Sequence, residues 1–411
     1  MKIAFVVSTF PKLSETFITN QITGLLDMGY DVEIFAEYKN SKEHKIHPDV
    51  KKYRLMERTH FFSTPENRLW RSLKAIYLIA KNFHKDPRLI LKSVNVFKYG
   101  KKAMSLKMLY IVIPFIGKNF DITHCHFGIN GALAISLKEL GFTGKYITTF
   151  HGYDVNSLPK KASSNYYDDL FRRGDLFTVN TNFTKHQVVN LGCDEGKIVT
   201  LPVGFKIERF EFLKRRHAHG EAVKFLTIGR LVEKKGHEYG IRALAKVAQK
   251  HPNVVYYIAG DGPLKKRLEA LVAELGLQEN VVFLSEVRED EVIRLYHDCH
   301  IFLLPSITAT DEDREGQALV LQEAQATGMP VLSTIHNGVP EGVLDCKSGY
   351  LVPEKNIEAL AERMEYLIEH PDIWPEMGRQ GRQFVEKKYD IKRLNEELAL
   401  IYEKLAQNNF L

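Results

Sequence analysis

The sequence predicts an α/β protein in which two doubly wound parallel sheets face each other. Three observations carry this. Short continuous apolar runs alternate with amphipathic helical stretches, the pattern of central strands covered on both faces. The series runs through once, breaks at a charged segment, and restarts. The length, 411 residues, suits about two or three domains of roughly 150 residues each.

The first series opens with the strand KIAFVV (2–7). A helix from Ser14 to Met28 follows, closed by Gly29, and then the strand DVEIFA (31–36). Beyond a basic stretch come DITHCHF (121–127), GKYITTF (144–150), DLFTVN (175–180) and KIVTLP (197–202). The break spans Phe205 to Glu221, with Arg215, Arg216, His217 and His219. The second series is VKFLTIG (223–229), NVVYYIAG (253–260), NVVFLSEV (280–287), HIFLLPS (300–306) and PVLSTI (330–335). Its helices include His237 to Lys250, Leu264 to Leu275 and Gln317 to Thr327. Two β-α-β series imply two domains, 1–204 and 205–387. The helices from Asn356 to Leu405 exceed what the second sheet needs. The last, about 388–411, is therefore expected to cross back onto the first domain.

Composition sets limits. With 44% hydrophobic and 26% charged residues, the chain is neither disordered, collagen-like nor a disulfide scaffold. The longest nearly apolar run, Met108 to Gly117, is far short of the roughly 20 residues that cross a bilayer. The start, MKIAFVVSTFP, lacks the features of a secretory leader, so a cytoplasmic location is expected. Cys125, Cys193, Cys299 and Cys346 form no CxxC pair and are expected to be reduced, small core residues. The formal net charge is +6, but residues 39–119 hold 19 Lys and Arg against 5 Asp and Glu. That basic region also carries Tyr53, Phe61, Phe62, Trp70, Tyr77, Phe83, Phe97 and Tyr99. A peripheral contact with an anionic membrane surface is the expectation, at the inner face of the cytoplasmic membrane. A solvated basic face is the plainer alternative. Nucleic acid is not expected, because no recognition motif accompanies the charge.

Open α/β sheets bind ligands beyond the carboxyl ends of their strands, and facing domains place the site between them. Five segments qualify. Glu315-Gly316-Gln317-Ala318 through Glu323 sets two glutamates eight positions apart at an expected helix start near Gly316, where free N–H groups favour phosphate. An acidic first turn plus one solvated Glu explains the same spacing. Gly229-Arg230 through Lys235-Gly236 offers a guanidinium fork and an ammonium to a diphosphate; otherwise it is a basic turn. Phe150-His151-Gly152-Tyr153-Asp154 sets a histidine at a strand end, able to bond a sugar hydroxyl or merely to cap a loop. His124 and His126 share one face of their strand, for packing or ligand bonding rather than metal. Gly260-Asp261-Gly262-Pro263 is a tight turn into a helix. Ser14-Glu15-Thr16 ends the loop after the first strand at an expected helix cap. Asp311 and Asp313 superficially spell a metal pair, but the adjoining Arg314 favours a plain loop, and no metal site is expected.

Taken together, GRLVEKKG (229–236), AGDGP (259–263), PSITATDEDREGQALVLQEAQATGMPV (305–331), GVPEGV (338–343) and FHGYD (150–154) resemble the retaining glycosyltransferases of family 4. The resemblance covers nearly the whole chain. VVSTFPKLSETFITNQI (6–22) and THCHFG (123–128) are most similar to bacterial exopolysaccharide transferases of the colanic-acid type. Where the family's first loop is commonly Gly-rich, this chain has Ser-Glu-Thr. The resemblance implies the GT-B architecture of two Rossmann-like domains, an acceptor domain followed by a donor domain. It implies transfer of a hexose from a nucleotide diphosphate sugar, UDP rather than GDP, to a glycan hydroxyl on a lipid-linked intermediate. No metal or other cofactor is implied. Arg230 and Lys235 would hold the diphosphate, Glu315 the sugar hydroxyls and Glu323 the ribose. Amides of Gly316, Gln317 and Ala318 would meet the distal phosphate, with His151 beside the donor sugar. Gly229 and Gly260 would line the donor pocket, and Glu286, within FLSEV, would lie near the base. Ser14, Glu15, Thr16, His126 and Asp154 would face the acceptor. A nucleotide-sugar epimerase or phosphorylase-like enzyme is the alternative on the same fold. A catalytically silent glycan-binding partner is another, disfavoured by the presence of Arg230, Lys235, Glu315 and Glu323 together.

Overall fold

The structure, a computed structural model, describes all residues except 13–14, 41–46, 162–164, 219, 286 and 408–411. The first sheet comprises β1 (Lys2–Phe10), β2 (Asp31–Lys39), β3 (Thr59–Phe61), β4 (Ile122–His126), β5 (Lys145–Phe150), β6 (Leu176–Val179) and β7 (Ile198–Thr200). The second comprises β8 (Val223–Ile228), β9 (Val254–Ala259), β10 (Val281–Leu284), β11 (Ile301–Leu304), β12 (Val331–Thr334) and β13 (Gly349–Val352). Their orders are β3-β2-β1-β4-β5-β6-β7 and β10-β9-β8-β11-β12-β13, with parallel pairing throughout. Strand order reverses between β1 and β4 in one sheet and between β8 and β11 in the other. Crevices for ligands form at such points.

Alternation along each strand feeds two cores. Ile3, Phe5 and Val7 pack with the helix Thr16–Asp27 on one face of the first sheet. Ala4 and Val6 meet the helices Lys107–Val112 and Gly128–Leu140 on the other. In the second sheet Phe225, Ile301 and Leu303 pack under His237–Lys250 and Ile357–Glu369. Leu226, Phe302 and Leu304 pack against Leu319–Ala326. The final helix, Ile391–Ala406, buries Leu394, Leu398 and Tyr402 in the core of the first sheet. A bridge from Phe205 to Asp390 lies where the chain crosses in both directions.

Several expectations need correction. The short edge strands β3 and β13 were not legible, since three or four residues carry too little alternation. The first helix is described from Thr16; its N-cap, Glu15, gives no capping bond, and Lys12 Nζ takes its carboxylate at 2.5 Å. The helix expected near Gly316 begins at Leu319, because Ala318 is left-handed (φ 56°). Cys346 is exposed, unlike the other three cysteines. Arg215, in the charged break, is buried: its guanidinium donates to the carbonyls of Tyr296, His297, Cys299 and Thr327.

Candidate active site

The loops after β8 and β11 flank the reversal point of the second sheet, and their charges meet there. Lys235 Nζ lies 2.6 Å from Glu315 Oε2, with both side chains largely shielded from solvent. The Lys235 stem runs over Gly229, within 3.2 Å of where a Cβ would stand. Burial pushes the Glu315 carboxyl upward, but Lys235 and then Lys234 outweigh it and hold the pKa down to about 2. Glu315 is thus an anion at any working pH. The two adjacent lysines divide the labour. Lys234 ties Asp313 at 3.2 Å and so shapes the loop, while Lys235 faces Glu315. Arg230 is exposed, and no partner holds its guanidinium among the described residues. It is free to take an oxyanion. Gly260, which follows β9, has φ +142°, and a Cβ there would strike Gly229 O at 2.1 Å, so the two turns stack without side chains between them.

Glu315 is set by residues the sequence reading missed. Its N–H donates to His336 Nε2 at 3.0 Å, and His336 Nδ1 lies 2.6 Å from Glu354 Oε1. An accepting Nε2 requires the proton on Nδ1, so Glu354 fixes the tautomer. Burial lowers the His336 pKa against the pull of Glu354. His336 sits two positions before the GVPEGV motif, and a lone histidine in a turn offered no other signal. Gln317 is also not free for ligand by its side chain: Oε1 accepts from Val203 N and Nε2 donates to Val203 O, both at 2.7 Å. Among the described residues nothing accepts from the amides of Gly316, Gln317 or Ala318, although they precede the helix rather than begin it. Glu323, one turn into that helix, accepts from Tyr296 Oη at 2.9 Å.

The first domain presents His151 at the end of β5. Its backbone carbonyl lies 2.5 Å from where a Cβ on Gly316 would stand, so only glycine lets the two loops approach this closely. His151 Nε2 is 3.1 Å from His126 Nδ1, and the rings stack at 20°. Burial pushes the His151 pKa down to about 3, so the ring is neutral. His126 and Asp154 do not face an acceptor as expected. His126 has no exposed surface and buttresses His151 from behind. Asp154 is 1% exposed, and its carboxylate accepts from Gly128 N, His151 N and Gly152 N, pinning the β4 and β5 corners together. His124 is likewise structural, bonded to Tyr402 Oη at 2.5 Å and Thr149 Oγ1 at 2.6 Å. Glu15, paired with Lys12, and Thr16 form the start of the first helix, after β1. Ser14 and Glu286 lie outside the described residues. Among those residues no group of three or more His, Cys, Asp or Glu side chains is placed to hold a metal ion.

An anionic carboxylate, two cations and a neutral histidine thus lie at the strand ends of the two facing sheets, and the chain is similar along its whole length to proteins of one family. Residues 14–209 match Glycosyltransferase Family 4, and residues 209–384 match Glycosyl transferases group 1. A putative colanic acid biosynthesis glycosyltransferase, WcaL, of Salmonella typhimurium is 34% identical over 98% of this chain and 100% of its own. This chain belongs to glycosyltransferase family 4. The amylovoran biosynthesis glycosyltransferase AmsK of Erwinia amylovora is 33% identical over 99% of this chain and 100% of its own. The architecture is GT-B. Anabaena HepE, solved in complex with UDP, superposes with a TM-score of 0.72 at 16% identity, over 98% of this chain and 100% of that one. Sucrose-phosphate synthase from Thermosynechococcus elongatus gives 0.73 at 18% identity, over 99% and 100%.

Proposed function

We propose that this glycosyltransferase moves a hexose from a UDP-sugar to a glycan hydroxyl during exopolysaccharide assembly, with retention of anomeric configuration and without a metal. The observation that carries the reading is the Lys235–Glu315 pair at the carboxyl ends of β8 and β11, Glu315 being on the loop whose Gly316 packs against the backbone of His151. A diphosphate entering between Arg230 and Lys235 draws the ammonium from Glu315. The freed carboxylate then takes the sugar hydroxyls. The anomeric C–O bond breaks, its electron pair passes to the diphosphate, and the acceptor oxygen forms the new glycosidic bond on the same face. The acceptor proton goes to the departing phosphate oxygen. Arg230, Lys235 and the amides of residues 316–318 hold the developing charge. Loss of one such donor typically costs about 10²–10³ in rate. Neutral His151 contributes a hydrogen bond at the sugar, its Nδ1 being the nitrogen not committed to His126.

The names of the Salmonella and Erwinia relatives support a polysaccharide acceptor, and UDP in HepE supports the base. A lipid-linked acceptor at the inner membrane face fits the basic region 39–119. Screening UDP- and GDP-sugars by thermal shift identifies the donor, because a ligand that binds only the folded state raises its stability. NMR of the product then reads the anomeric configuration, in buffer with and without EDTA. Glu315→Ala is expected to fold and to lose transfer by at least a hundredfold. Near wild-type turnover in that variant refutes its role, and an inverted product refutes retention.

A further inference from the structure

The helix Arg68–Asn82 is apolar on two sides. Ala75, Leu78, Ile79 and Asn82 face the protein core. On the far side Leu69, Trp70, Leu73, Ile76 and Tyr77 are all exposed, Trp70 by 67%. At 3.6 residues per turn these five fall within an arc of about 120°, diametrically opposite the core face. Lys74 and Lys81 border the arc on the side of Trp70 and Tyr77. The short helices that follow, to Met104, add exposed Leu91, Phe97 and Met104. Ten of the eighteen exposed large hydrophobics among the described residues fall between Leu69 and Met104. A solvated basic face has no use for this concentration of apolar surface.

The charge around it selects the occupant. From Arg68 to Lys107 there are eleven Lys and Arg and one acidic residue, Asp86. An apolar stripe rimmed by cations is complementary to an anionic bilayer interface, where acyl chains lie beneath acidic headgroups. No described helix is long and apolar enough to cross a membrane, so the fit is to a surface. Further along the basic region, Lys102, Lys107 and Met108 line a cavity of about 320 Å³ shared with the helix Gly128–Leu140. That helix starts where β4 ends, beside His126.

We propose that Leu69, Trp70, Leu73, Ile76 and Tyr77, with Phe97, insert into an anionic bilayer interface and dock the acceptor domain there. The basic region supplies attraction; the stripe supplies insertion. This deepens, and rests on, the reading of a lipid-linked acceptor. The protein carries its own reporter, since it has only two tryptophans and Trp374 is fully buried. Emission changes on adding vesicles therefore report Trp70.

The test uses the full chain with vesicles of phosphatidylcholine and phosphatidylglycerol at about 7:3, and with phosphatidylcholine alone. Expected are co-sedimentation with the anionic vesicles, a blue shift of Trp70 emission, and quenching by lipids brominated near the headgroup. Leu73→Glu with Ile76→Glu is expected to keep the thermal midpoint and the donor-induced shift, yet to bind vesicles at least tenfold more weakly. Binding at low salt without blue shift or quenching overturns insertion while leaving an electrostatic contact. Absence of vesicle binding overturns the proposal altogether. The donor-induced thermal shift, measured in the same samples without lipid, tests the transferase reading separately.

Discussion

Replacing Lys235 with methionine probes the charge logic of the site. Lys235 and Glu315 are 12% and 14% exposed and 2.6 Å apart, so water screens them far less than a surface pair. Burial alone raises the Glu315 pKa; the lysines bring it from 4.5 down to about 2. At ~1.4 kcal/mol per pH unit, a carboxyl held that far down contributes on the order of 3 kcal/mol to folding. The contribution is complete above pH 4.5 and disappears as the pH falls through about 2. Methionine leaves only Lys234 and His336 against the cost of burial. Removing one partner of a buried pair typically costs ~3–5 kcal/mol, because a charge is stranded. The variant is therefore expected to lose ~3 kcal/mol at pH 7 in urea unfolding, and to lose the donor-induced thermal shift. Adding Glu315→Gln removes the stranded charge. The double variant should recover most of the stability and none of the transfer. A Lys235→Met protein as stable as its parent, or a double variant no more stable than the single, refutes the reasoning.

The buried histidines set the acid limit of the first domain. Burial, with smaller contributions from neighbouring histidines, holds His124 at about 3 and His126 well below 6.5; burial alone takes His151 to about 3. Each must be neutral to fold, so its stabilising effect is whole above about pH 6.5 and is lost as the pH falls toward 3. Each contributes up to ~1.4 kcal/mol per pH unit in that window. The urea midpoint should fall between pH 6.5 and 5, before carboxylates titrate; a flat midpoint there contradicts the burial of the three rings. Asp154→Ala orphans three backbone N–H groups at ~1–3 kcal/mol each. It is expected to lower stability by at least ~3 kcal/mol by urea unfolding and to displace His151, whereas loss of less than ~1 kcal/mol removes Asp154 as the pin of the two corners.

The two-sheet architecture was legible because its strands are buried on both faces and read as unbroken apolar runs. Lys235 and Glu315 were legible because both follow such runs. What the sequence hid has physical causes. Gln317 is a polar residue whose side chain serves distant backbone, and no spacing along the chain reveals a partner 114 residues away; Asp154 joins its own loop to Gly128, 26 residues back, in the same way. His336 looks like any turn histidine until Glu315 N and Glu354 stand on either side of it. The outward stripe on Arg68–Asn82 was obscured for another reason. A helix apolar on both faces reads from periodicity as a core helix, and only its packing shows which face lies bare.

The loops around Glu315 also hold the domains together. Glu341 accepts from Asn182 N and Phe183 N at 2.9 Å each, capping a first-domain helix from the second domain. A Cβ on Gly338 would strike the Thr181 side chain, just as one on Gly316 would strike His151 O. Gln317 clamps Val203 in the connecting segment. All of these belong to the segment 315–341 that contains Glu315 and is anchored by His336. Opening the cleft must break the Glu341 cap and separate Gly316 from His151, so it disturbs the loop that carries Glu315 directly. On the proposed function, donor occupancy and domain closure would act through one short stretch of chain. The glycines there serve contact across the cleft as much as the turn itself.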